Sequence, residues 1–226
     1  DSIGNVWIAS EEGIAKHNSK SYKFYNTYNG LPRSLNNRIA ELFIDSQQRV
    51  WAGSEKGICL YDANKDKFDL IDNQKNINPS LVEAFCEDKN GTIWIGGYNG
   101  LWKYTPKNGE IRLEHVLENY SIQSLCTLND AIILGTTKGL FSFDIKQQTV
   151  TEIQLQGSPK NISSVVLLND NLMIGTKTGD IFIVNTKSFQ VDLVQLSRSF
   201  QGPINDFVLD TKQNIYIATD GDGLYY

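Results

Sequence analysis

Histidine, cysteine and proline are scarce in this 226-residue chain, which has two, three and five of them. Imidazole catalysis needs a histidine close to a partner group. His17 and His115 fall at different places in the repeat described below, so they point to no shared site. Cys59, Cys86 and Cys126 have no metal-ligand spacing such as C-x-x-C, and an odd number cannot all pair within one chain. Runs of Lys and Arg are missing too, and the net charge is −5. Nucleic acid needs clustered cations to neutralise its phosphates, so it is set aside as a partner. No apolar run approaches the roughly 18 residues that cross a bilayer, so this segment makes no membrane contact of that kind. G-x-S-x-G, H-E-x-x-H and Walker patterns are absent. No segment keeps apolar residues at helical spacing over three turns, which argues against helices.

Glycine is plentiful, at 18 residues, and regularly placed. Val6–Ser10 (VWIAS) recurs as Val50–Ser54 (VWAGS), Ile93–Gly97 (IWIGG), Ile132–Thr136 (IILGT), Leu172–Thr176 (LMIGT) and Ile215–Thr219 (IYIAT). Counted from Trp7, the equivalent positions are Trp51, Trp94, Ile133, Met173 and Tyr216, in steps of 44, 43, 39, 40 and 43 residues. A period of roughly 40–45 residues is that of a propeller blade.

Each copy reads as four short strands, A to D, rich in β-branched and aromatic residues. In the second copy they are Ile39–Asp45, Val50–Ser54, Ile58–Asp62 and Phe68–Asp72. Two residues separate Ser54 from Gly57, and the same spacing leads to Gly13, Gly100, Gly139 and Gly179; the last copy is one residue longer and ends at Gly223. Such a B–C turn needs a residue with positive φ, which glycine supplies. Asn129-Asp130 and Asn169-Asp170 read as two-residue A–B turns of residues that tolerate the left-handed region. The fold expected is all-β: a β-propeller of four-stranded antiparallel blades, with six repeats in this chain. The repeats run at about 1–38, 39–81, 82–121, 122–161, 162–203 and 204–226 of one propeller domain. Asp1 holds the place of Asp45, and the chain stops within strand C, so the reading is of a fragment.

The repeat resembles the two-component regulator propeller repeat. The resemblance rests on Gly30-Leu31-Pro32, on Asn36-Asn37-Arg38 before a strand ending in Asp45, and on Trp94-Ile95-Gly96 with Gly100-Leu101 and Tyr104. It covers the whole chain; the later copies have lost the Trp, and Asp180 interrupts the Gly-Leu pair of the fifth. The resemblance implies part of a seven-bladed propeller in the periplasmic sensor region of an inner-membrane hybrid histidine kinase. It further implies an oligosaccharide ligand from glycan breakdown, a second propeller and downstream domains in the same chain, and a homodimer for the whole protein. This segment itself would not be an enzyme and would need no cofactor. A scaffold for protein–protein contacts and a propeller lyase or hydrolase are the alternatives, since the fold hosts all three.

The axial strands offer Glu41, Glu83 and Asp206, too scattered for a carboxylate pair to be inferred. Asp62-Ala-Asn64-Lys-Asp66 has the acidic spacing of a calcium loop, but Lys67 and Asn73 stand where Gly and Glu are required, so it reads as a polar turn and no metal is expected. Trp7, Trp51 and Trp94 read as packing between blades, because Ile133 and Met173 occupy equivalent places. A–B and C–D turns share one face, and B–C turns and D–A connectors share the other. The second face has the longest connectors, Asn26–Arg38 and Asn73–Ser80, and the more varied chemistry. Loops on a rigid scaffold commonly carry function. The ligand-binding candidates are therefore Arg33, Arg38, Tyr98, Asn99, Lys138, Lys177 and Asp220.

Overall fold

The computed structural model describes residues 1–71, 78–107, 110–155, 159–188, 190–194, 200, 202–210, 212 and 214–226. They form two compact units, Asp1–Ser121 and Ile122–Tyr226. In the first, β1 (Val6–Ser10), β2 (Gly13–His17) and β3 (Tyr22–Tyr25) make one sheet. The next holds β4 (Ile39–Ile44), β5 (Val50–Ser54), β6 (Gly57–Asp62) and β7 (Lys67–Ile71), and the third β8 (Val82–Glu87), β9 (Ile93–Gly97), β10 (Gly100–Lys107) and β11 (Glu110–Leu117). In the second unit β12 (Ile122–Leu128), β13 (Ala131–Thr136), β14 (Gly139–Asp144) and β15 (Thr149–Glu152) pair first. They are followed by β16 (Ile162–Leu168), β17 (Asn171–Thr176), β18 (Ile181–Asn185) and β19 (Val191–Leu193), then β20 (Ile204–Leu209), β21 (Ile215–Thr219) and β22 (Gly223–Tyr225).

Within each sheet every strand pairs antiparallel with its neighbour in sequence, and the described residues contain no helix. This is the up-and-down blade of a propeller. The expected strands of the second copy are met to within one residue. The end of the fourth, Asp72, lies outside the described residues, as does the connector part Asn73 to Ile77.

The cores lie between neighbouring sheets. Ile14, Tyr25, Leu31 and Leu35 pack with Val50, Ala52, Cys59 and Phe68; Trp51 and Ile58 pack with Val82, Phe85, Trp102 and Tyr104. In the second unit Ile133 and Leu140 meet Ile162, Val165 and Ile174, and Met173 and Ile181 meet Ile204 and Phe207. The glycine of the W-I-G pattern makes these contacts possible. A Cβ on Gly53 would stand 2.5 Å from Val82 Cγ1, and one on Gly175 2.5 Å from Ile204 Cγ2. A β-branched residue at the start of one sheet thus sits directly on the glycine of the sheet before it. The strand that carries that residue bulges at its second position, between Ile39 and Glu41, Val82 and Ala84, Ile122 and Ser124, Ile162 and Ser164, and Ile204 and Asp206.

The turn expectations hold with one correction. Gly13, Gly57, Gly100, Gly139, Gly179 and Gly223 all have positive φ, as do Asn129 and Asn169. The fifth B–C turn is longer than its glycine spacing predicts: Gly175 pairs with Ile181, and Thr176 N–H donates to the Asp180 carbonyl. The reason is local. Asp180 donates its N–H to Thr176 Oγ1 and accepts from Thr178 Oγ1, so it closes the loop where a leucine would begin the strand.

Candidate functional site

The Trp positions carry a device that the sequence reading assigned only to packing. In the first unit an Asp six residues upstream accepts the indole N–H: Trp7 donates to Asp1 Oδ2 (2.9 Å), Trp51 to Asp45 Oδ2 (2.8 Å) and Trp94 to Asp88 Oδ2 (2.9 Å). The other carboxylate oxygen accepts backbone N–H groups of the A–B turn, from Asn5, from Gln47 and Arg49, and from Asn90 and Thr92. Trp51 and Trp94 are buried, so packing accounts for them. Ile133 and Met173 need no acceptor, and in their sheets the turn is the short Asn129-Asp130 or Asn169-Asp170.

His115 stacks on Trp102 at 4.0 Å, and its Nε2 lies 2.8 Å from the Asn99 carbonyl. His17 ends β2. Burial pushes the Cys59 thiol up, and the Cys126 thiol to about 12, so neither is poised as a nucleophile. All three cysteines are thiols. Asp62 of the expected polar turn accepts from the N–H groups of Asn64 and Lys65. Asp206 accepts from Ser164 Oγ and from Phe207 N–H, and desolvation raises its carboxyl. Glu41 and Glu83 stand on the first strands of neighbouring sheets in the other unit.

The B–C turns and the connectors are tied together through the backbone. Tyr98 N–H donates to Ser80, Lys177 to Asn161 and Asp220 to Pro203, while Leu81 N–H reaches the Glu55 carbonyl of the preceding sheet and Asn161 N–H that of Thr137. The main chain is therefore fixed and the side chains project. Tyr98 is 67% exposed, and Arg33, Arg38, Lys138, Lys177 and Asp220 are exposed. Arg38 approaches Glu11 at 3.8 Å. Lys138 edges a small depression with Glu152, Gln154 and Pro159. Asn99 differs from the other candidates. Its Oδ1 accepts from Ser80 N–H and Trp102 Nε1–H, and its Nδ2 donates to the Asn78 carbonyl, so its amide holds the turn. The structure brings Tyr98 and Asn99 together on one turn of the first unit, with Arg33 and Arg38 on one connector there. It places Lys138, Lys177 and Asp220 on separate turns of the second.

On the opposite side of the first unit lies a polar knot that sequence reasoning missed. Asp66 accepts from Lys23 Nζ, from Tyr61 OH and from Tyr25 OH, the last at 2.7 Å. Lys23 first, then the two phenols, holds the Asp66 carboxyl well below the usual carboxylate range. Burial, with help from these neighbours, raises the Tyr25 phenol. A carboxyl depressed on folding stabilises the fold fully above its unfolded pKa of about 3.9, and that stability drains away as pH falls through the folded value. The melting-temperature difference between wild type and Asp66→Asn should therefore be largest near neutral pH and shrink below about pH 4. A difference that stays constant through acid would show that Asp66 acts by packing alone.

Residues 76–99 match the family described as two component regulator propeller. Those residues are similar to that repeat. The matched stretch spans the end of the second connector, β8 and β9, the region where Asp88 clamps Trp94. Over 218 residues the chain is 25% identical to Histidine kinase P4 of Formosa agariphila, covering 87% of this chain and 15% of that protein. Among solved structures, the extracellular domain of BT3049 from B. thetaiotaomicron, a candidate hybrid two component system, superposes with a TM-score of 0.80 at 17% identity. That match covers 99% of this chain and 32% of the other. PorZ, a surface component of the type-IX secretion system of Porphyromonas gingivalis, gives 0.70 at 13% identity over 98% of this chain and 31% of its own. The chain thus shares its fold with these structures, and it spans a small part of the length of these relatives. No helix among the described residues is long and apolar enough to cross a membrane.

Proposed function

We propose that this chain is the ligand-sensing part of the periplasmic region of a hybrid two-component histidine kinase. In this reading it binds oligosaccharides from glycan breakdown, performs no catalysis itself, and passes the signal through downstream domains of a homodimer. The observation that carries the reading is the match of nearly the whole chain to the extracellular domain of a candidate hybrid two component system. We place recognition on the side of the B–C turns and connectors, at Tyr98, Arg33 and Arg38 in the first unit and Lys138, Lys177 and Asp220 in the second. Fixed main chain with projecting aromatic and planar polar groups suits sugar binding, because the turns need no ordering at association and only the side chains do. Asn99 would serve by holding Tyr98 in place.

Calorimetric titration with a panel of glycan fragments tests the function. Saturable binding without turnover is the expected result; turnover would make the chain a propeller lyase or hydrolase, and binding only of a protein partner would make it a scaffold. Tyr98→Ala and Arg38→Ala should each weaken fragment binding several-fold while costing no more than about 1 kcal/mol of stability, as ordinary surface changes do. Full affinity in both variants would move the site elsewhere.

A further inference from the structure

The three sheets of the first unit repeat one row of side chains across strands B, C and D, and its charge differs from sheet to sheet. In the third sheet the row is Trp94, Lys103, Glu114, and Lys103 bonds Glu114 at 3.1 Å. In the second it is Trp51, Leu60, Asp69. In the first it is Trp7, Lys16, Lys23: two ammonium groups stand directly opposite each other where the third sheet has an ion pair. Like charges in that position repel. Lys23 is answered by Asp66. Lys16 has no carboxylate partner among the described residues. Its Nζ lies 5.1 Å over the Trp7 ring and 4.8 Å over the Tyr61 ring, and it donates to Tyr61 OH at 3.0 Å.

The aromatic pair beneath Lys16 also has an internal comparison. Trp7 meets Tyr61 edge-on at 4.8 Å, and Trp51 meets Tyr104 edge-on at the same 4.8 Å. The second pair is sealed by Arg49, whose guanidinium covers both rings and bonds Asp45, and both rings are buried. Asn5 stands in the place of Arg49 in the first pair and is drawn onto Asp1, too short to cover the rings. Trp7 and Tyr61 keep part of their surface in solvent, and β1, unlike β5 and β9, has no strand beyond it in its sheet. Packing explains why aromatic rings meet here. It does not call for a half-buried ammonium that has the two rings and a phenol as neighbours but no carboxylate among the described residues.

We propose that this junction, formed by Trp7, Lys16 and Tyr61 beside Lys23 and Asp66, binds the carboxylate or sulfate of an acidic saccharide. Lys16 pairs with the anion, the edges of the two rings take the apolar face of the sugar, and Asp66 with the phenols faces its hydroxyls. The site lies on the A–B and C–D turn side of the first unit. It takes the saccharide from the oligosaccharide reading above and the acidic group from Lys16.

The test is a tryptophan-fluorescence titration of the whole chain with a glucuronate-containing oligosaccharide, its carboxyl-reduced counterpart and a sulfated oligosaccharide. At least one acidic compound should bind, more weakly as ionic strength rises, and the reduced compound should bind at least about tenfold less tightly. Lys16→Met should remove that preference, Lys16→Arg should keep it, and Lys56→Met on the other side should leave it intact. Lys23→Glu sets a carboxylate opposite Lys16, as in the third sheet, but also takes the cation from Asp66; it should expel the anion, with a melting curve recorded beside the titration to show that the variant is folded. No binding of either acidic compound, or acidic binding indifferent to both Lys16→Met and Lys23→Glu, overturns the proposal. Equal binding of the reduced compound overturns it while leaving the oligosaccharide reading standing.

Discussion

Replacing Gly100 by alanine should destabilise the fold by at least about 3 kcal/mol, at the upper end of single substitutions. Two independent causes add. Gly100 has φ +119°, which an L-residue adopts only under strain, and its missing Cβ would stand 1.8 Å from the Leu117 carbonyl oxygen and 2.9 Å from the carbonyl carbon. The obstacle is main chain, and it cannot step aside cheaply. Leu117 closes β11 against Leu101, and Leu101 and Trp102 are fully buried. For a chain of this size, about 3 kcal/mol corresponds to a melting shift of roughly 6–12 °C. Gly221→Ala is the control, since φ there is +93° but no atom lies within 4 Å of the added methyl. It should cost only the strain, on the order of 1–2 kcal/mol. Equal losses in the two variants, measured by thermal or urea unfolding, would show that the close approach at Gly100 is not felt.

That contrast shows what a sequence can and cannot disclose here. The blades were legible because strand, turn and strand recur six times, and because a two-residue turn ending in glycine leaves the backbone few options. The strands followed to within a residue or so, as at Ile39–Ile44 against an expected Ile39–Asp45. Glycine itself was legible, but what stands over it was not. Gly53 lies under Val82, Gly100 under Leu117 and Gly175 under Ile204, and these are contacts of the folded chain. The fifth turn was misread because one added Asp side chain can close a longer loop. At the candidate site, the sequence could say which residues lie on turns but not which are already engaged. Tyr98 projects as expected, whereas the Asn99 amide is consumed by Ser80, Trp102 and Asn78. The Lys16–Lys23 pair was hidden for a related reason. The two are seven positions apart in sequence and face each other only once the register of β2 and β3 is fixed.

Asp45→Ala should be nearly as damaging as Gly100→Ala, through electrostatics rather than space. The Asp45 side chain is fully buried and answers four donors: Gln47 N–H at 3.0 Å, Arg49 N–H at 2.9 Å, the Arg49 guanidinium, and Trp51 Nε1–H at 2.8 Å. Removing it strands an indole N–H in a core where Trp51 has no exposed surface. It also strands a guanidinium held over two aromatic rings. Breaking a buried ion pair by deleting one partner costs about 3–5 kcal/mol, because the remaining charge is left without compensation; the lower end applies here, since the Arg49 side chain keeps 21% of its surface in solvent. Asp88→Ala should cost less, on the order of 2 kcal/mol, since Thr92 stands where Arg49 does and no cation is orphaned. A double-mutant cycle separates the contributions. Trp51→Phe removes the indole donor, so Asp45→Ala in that background should be milder by about 1–3 kcal/mol. If the two changes instead add fully, the clamp contributes nothing beyond its separate parts. If Asp45→Ala and Asp88→Ala cost the same, the guanidinium is at ease without its carboxylate.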